Sequence, residues 1–188
     1  MKILLVPVLL CVCASQSVFA QGVEMPQRSC RECVITKEYD APKDRTKVLL
    51  KQMPVAEVPG GTMYIALGTH YYGGHYKSVY NKVVYVTVTF IAKPLFEAKD
   101  TELKALADEK PITFGKLTLS VTDSKRDRKI SIYMGMSGRE DVLKLGQAKK
   151  VRMSLDGIEF QLTDEHRAAI LDFLAYGDGD PGSDTDSP

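Results

Sequence analysis

The chain has 188 residues, 44% of them hydrophobic, with 25 Lys and Arg against 24 Asp and Glu. That length suits one well-buried core, and the balanced charge gives no case for a nucleic-acid partner, which would want a concentrated basic face. After the first apolar run, no stretch approaches the roughly 20 residues of a spanning helix, so no transmembrane segment is expected in the mature chain.

The chain begins Met1-Lys2, continues with an apolar run from Ile3 to Ala14 broken by Pro7, and reaches Val18-Phe19-Ala20. One charge, a short apolar run and small residues before the cut predict a signal peptide over 1–20 and export to the periplasm or extracellular space. Cys11 and Cys13 follow Leu10 and Val12, larger than the small residue that precedes a lipid-anchoring cysteine.

Residues 21–44, with Pro26 and Pro42, show no stable period and read as an irregular lead-in. Within it, Cys30-Arg-Glu-Cys33 is expected to form a local disulfide in an oxidising compartment. So short a loop limits the entropic gain to about 2 kcal/mol. A redox centre would follow a strand and open a helix, and covalent haem attachment would need His where Val34 stands.

A single β-rich domain is expected over 45–176, with Arg45 to Lys51 as its first strand. Met63, Ile65 and Leu67 alternate with polar or small neighbours, as do Val84, Val86, Val88 and Phe90. Period-2 alternation of this kind predicts half-buried strands. Gly73-Gly74 between them suits a two-residue hairpin loop, pairing Tyr71 with Tyr76, Thr69 with Ser78 and Leu67 with Tyr80. Odd residues of the first strand then share a face with even residues of the second, and Lys82 needs a bulge or an edge. Asp100 is placed to cap a short connecting helix over Thr101 to Asp108, carrying Leu103, Leu106 and Ala107 on one side.

Leu117, Leu119 and Val121, then Ile130, Ile132, Met134 and Met136, mark two amphipathic strands joined by a polar link from Asp123 to Lys129. The basic run Lys125 to Lys129 reads as a solvated turn, with an anionic surface as the competing reading. Ser137 and Glu140 have capping-box spacing ahead of Val142, Leu143 and Leu145. Asp156-Gly157 then predicts a tight hairpin pairing Leu155 with Ile158, Met153 with Phe160 and Val151 with Leu162. Thr163 caps a final helix with Asp164 and Glu165 in its first turn and an inner stripe of Ala169, Ile170, Phe173 and Leu174. From Gly177 the acidic tail has no apolar residue and is expected to be disordered. The fold class is mainly β, a β-sandwich or open antiparallel sheet or barrel, with α+β as the alternative.

Six of the nine tyrosines, Tyr64, Tyr71, Tyr72, Tyr76, Tyr80 and Tyr85, cluster around Gly73-Gly74. Flat apolar rings with a hydroxyl suit a protein or glycan partner, so Tyr64, His70, Tyr72, His75 and Lys77 are the candidate ligand-binding residues. The expected hairpin sets His70 opposite Lys77 and diagonal to His75. The two histidines with Cys30 and Cys33 form the alternative, a tetrahedral metal site.

No catalytic constellation emerges. Gly135-Met-Ser-Gly-Arg139 lacks the final glycine of a nucleophile elbow, and His166 sits where imidazole serves a helix cap. No phosphate loop follows a strand, no cofactor is implied, and the tail aspartates lack calcium-loop spacing. The expected function is an exported, non-enzymatic binding or accessory module. A metal-binding protein stands second and an enzyme of unrecognised type third.

Overall fold

The computed structural model describes residues 23–24, 35–73, 82–125 and 128–177. The expected signal peptide over 1–20, Cys30, Cys33, His75, Lys77 and the acidic tail beyond Gly177 lie outside them. The described chain forms two antiparallel sheets. The larger has seven strands in the order β1 (Val23–Glu24), β2 (Ile35–Asp40), β3 (Arg45–Val58), β4 (Gly61–Tyr72), β5 (Val83–Ala92), β9 (Arg128–Gly138) and β8 (Thr118–Lys125). The smaller has four, β11 (Ile158–Leu162), β10 (Val151–Leu155), β6 (Glu102–Ala107) and β7 (Lys110–Lys116). Helices α1 (Arg139–Gln147) and α2 (Asp164–Gly177) pack on each other, and α2 also packs on β3. One continuous core joins both sheets and both helices. Among the described residues, no helix is long and apolar enough to cross a membrane.

The last hairpin follows its sequence. Leu155 pairs with Ile158, Met153 with Phe160 and Val151 with Leu162. Asp156 and Gly157 take positive φ at the turn. Val151, Met153, Phe160 and Leu162 are all buried. Turn chemistry and alternation demand the same register, so nothing competes with it. In α2, Ala169, Ile170, Phe173 and Leu174 are buried as the stripe requires. The Thr163 hydroxyl accepts from the His166 amide at 3.2 Å, and His166 Nδ1 accepts from the Thr163 amide at 3.4 Å. His166 thus takes the reciprocal position of a capping box. Helix α1 forms where Val142 and Leu145 predict it, but its N-cap is Gly138 and no side chain caps it.

Four expectations are corrected. Residues 35–40 are not irregular: they form β2, an outer strand with little burial contrast whose pairing with β3 runs from Ile35 opposite Leu50 to Asp40 opposite Arg45. Strand β3 continues past Lys51 to Val58 through Pro54, which falls beyond the reach of β2 and so costs no hydrogen bond on that side. Residues 102–107 are a strand, not the expected helix. Leu103, Ala105 and Ala107 are buried at every second position, and β6 is bonded on both sides, to β7 and β10. Asp100 does accept a backbone hydrogen bond, from Glu102 at 3.0 Å, but as a local turn ahead of a strand. The β4–β5 register differs as well, with Leu67 opposite Val86 instead of Tyr80. The shift is an even number of residues, so the face assignment survives: Met63, Ile65, Leu67, Val84, Val86, Val88 and Phe90 are buried together. Lys82 precedes β5 and its carbonyl accepts from the Arg139 amide, so no bulge is needed.

Strand β9 has the alternation its sequence suggests, but its apolar side faces away from the core. Ser131, Tyr133 and Ser137 are buried opposite Phe90, Val88 and Val84, while Met134 and Met136 are exposed. The inward volume comes from elsewhere in the chain. Phe96 packs on Phe90 with ring centroids 4.3 Å apart and the planes tilted by 31°, and Leu117 lies where a side chain on Gly135 would stand, 2.5 Å from an ideal Cβ. The inward polar groups are bonded: Ser131 Oγ donates to the Phe96 carbonyl at 2.7 Å and the Tyr133 hydroxyl accepts from the Ala98 amide at 2.8 Å. Burial pushes the Tyr133 hydroxyl pKa up. The link from β5 to β6 is thereby fastened over the core.

Candidate functional site, a groove on the outer face of the large sheet

Because β9 turns its apolar side outward, the outer face of the large sheet is unusually apolar. Leu49, Val83, Val121, Met134 and Met136 are each more than a third exposed. The register places Leu49, Met136 and Met134 in two adjacent rows. Leu49, Gly68, Tyr85 and Met136 lie side by side across β3, β4, β5 and β9, and the next row holds Ala66, Thr87 and Met134. Gly68 and Ala66 leave the middle of both rows low, and Leu49 leans over Gly68, its Cδ2 within 3.0 Å of an ideal Cβ there. The result is a groove of about 710 Å³ with an apolar floor, inside the ~300–1,000 Å³ span of small-molecule sites.

One wall is cationic. Arg45, Lys47 and Lys51 project from alternate positions of β3, and no carboxylate lines the groove among the described residues. The Arg45 Nε is buried without a hydrogen-bond partner among those residues. Glu38 and Asp40 sit opposite Lys47 and Arg45 on the neighbouring β2, and Asp40 is engaged by Lys43 at 3.4 Å.

His70 closes the same end, opposite Lys47. Its ring stacks on Tyr85 at 5.6 Å and meets Tyr72 edge-on at 6.4 Å. Partial burial, with the Arg45 charge beside it, holds the imidazole below its ordinary pKa of 6.5. At neutral pH it is therefore uncharged, with one nitrogen to donate and one to accept. The strand end is secured from β3, where the Thr46 hydroxyl donates to the Gly73 carbonyl at 2.6 Å and the Gly73 amide donates to the Asp44 carbonyl at 2.8 Å.

Of the sequence candidates, His70 and Tyr72 stand together at the groove's end, with Tyr72 70% exposed. Tyr64 shares their face of β4 but pairs with Pro54 and Thr89. At about 3.3 Å per residue it lies about 20 Å from His70 and takes no part in the groove. His75 and Lys77, like Cys30 and Cys33, fall outside the described residues, so the tetrahedral metal set is represented by His70 alone. Among the described residues no three His, Cys, Asp or Glu side chains converge to hold a metal. Sequence reading missed Leu49, Gly68 and Met134, whose only signal was the apolar side of β9 and a glycine inside β4.

No known protein family matches the chain, and no curated protein or solved structure matches it either.

Proposed function

We propose that the protein is an exported, non-enzymatic binding module that takes an elongated apolar ligand along the groove on the outer face of its large sheet. The observation that carries this reading is the pair of rows, Leu49–Gly68–Tyr85–Met136 and Ala66–Thr87–Met134, in which Leu49, Met134 and Met136 are exposed and Ala66, Tyr85 and Thr87 half-buried, while Val48, Leu50, Leu67, Val84, Val86 and Tyr133 on the opposite face of the same strands are buried. A contiguous apolar surface of this kind marks an interaction site more often than chance exposure. Export rests on the amino-terminal pattern and predicts a mature chain beginning at Gln21.

The test is titration with the uncharged probe N-phenyl-1-naphthylamine, whose emission rises in apolar surroundings. The chain has no tryptophan to interfere. Saturable binding is expected, weakened tenfold or more by Ala66→Leu, a half-buried floor position beside Thr87, with circular dichroism showing that the variant keeps its fold. Probe binding indifferent to Ala66→Leu and to Tyr85→Ala overturns the reading.

A further inference from the structure

We propose that the occupant of this groove is a single-chain anionic amphiphile, a free long-chain carboxylate, with its acid group at Arg45 and Lys47 and its alkyl chain laid over Gly68 and Ala66 toward Met134. The inference rests on the groove reading above and adds the ligand's chemistry and direction.

Charge complementarity is the first argument. Arg45, Lys47 and Lys51 line the groove and, among the described residues, no carboxylate does. Glu38 and Asp40 sit opposite Lys47 and Arg45 on β2, outside the lining, and Asp40 is engaged by Lys43, so the groove wall itself presents cations to an entering anion. The buried Nε of Arg45 has no protein partner among the described residues, and a buried guanidinium donor left unpaired is costly until an acceptor arrives. His70 is uncharged at neutral pH, so it adds a donor to the head-group end without depending on protonation.

Shape is the second argument. From Arg45 to Lys51 the groove runs about 20 Å along β3 at roughly 3.3 Å per residue. Arg45, Lys47 and His70 bring two cations and an imidazole to one end, and beyond them the floor is Leu49, Gly68 and Ala66, with Met134 on the far side and Lys51 and Gln52 on the β3 wall. Methionine adapts to a flexible chain better than a branched residue does. A concave floor also favours one inserted chain over the flat surface of a bilayer, which protruding side chains serve better.

The test compares dodecanoate, dodecanol and dodecyltrimethylammonium by calorimetry, each below its micelle concentration, on the mature chain. Dodecanoate is expected to bind at least tenfold more tightly than either analogue. The Arg45→Gln/Lys47→Gln double variant should remove that preference, bringing dodecanoate to the affinity of dodecanol. Equal affinity for the three amphiphiles overturns the inference and leaves the groove reading standing. Failure of every probe, the uncharged one included, overturns both. Weak dodecanoate binding with sedimentation on phosphatidylglycerol vesicles overturns it in favour of a membrane surface.

Discussion

The inversion of β9 gives the sharpest test of the fold. Replacing Tyr133 by Ala deletes a large ring that is 2% exposed, packed edge-on against Phe90 at 5.8 Å. Truncating a buried aromatic residue costs about 3–5 kcal/mol. Losing the acceptor of the Ala98 amide adds about 1 kcal/mol, at the low end because Ala98 is only half-buried and water can replace the hydroxyl. The total, about 4–6 kcal/mol, approaches the whole stability of many domains. Tyr133→Phe isolates the hydrogen bond and should cost only about 1 kcal/mol. Met136, three positions along and 64% exposed, should tolerate Ser within about 0.5 kcal/mol. Urea unfolding followed by circular dichroism reads all three, with unchanged denaturant slopes showing that the comparison is clean. If Met136→Ser proves as costly as Tyr133→Ala, the apolar side of β9 faces the core, and the groove does not exist.

Two further outcomes follow from carboxylates that fasten loops. Asp108 accepts backbone hydrogen bonds from Lys150 and Lys149, which hold its carboxyl below the ordinary 3.8. Its stabilising effect is present above that value and is lost as pH falls through the folded pKa. Asp108→Asn should therefore flatten the acid side of the stability–pH curve, and an unchanged acid limb refutes the assignment. Asp156 accepts from the Lys99 and Asp100 amides at 3.1 and 2.9 Å while holding the β10–β11 turn. Asp156→Gly keeps the turn but loses both bonds, and should cost about 1–3 kcal/mol in urea. Asp156→Asn should recover about half of that, and equal losses for the two variants would argue against the paired contacts.

What the sequence determined by itself is the set of elements whose local signals agree. Around Asp156-Gly157, turn preference and side-chain alternation allow a single register. In α2, the Thr163 cap and the stripe ending at Leu174 fix both the start of the helix and its buried side. The mainly β class follows from the same alternation elsewhere. Only the tertiary structure decided matters that depend on a distant partner. Residues 102–107 become a strand because β7 and β10 bond both edges, which outweighs the helical spacing of Leu103, Leu106 and Ala107. Strand β9 presents Ser131 and Tyr133 inward because Phe96 and Leu117 supply the missing apolar volume and the linker backbone satisfies the hydroxyls. Alternation says that a strand has two unlike faces. Which of them meets the core is settled by what the rest of the chain brings to it, and here that choice leaves the groove open to solvent.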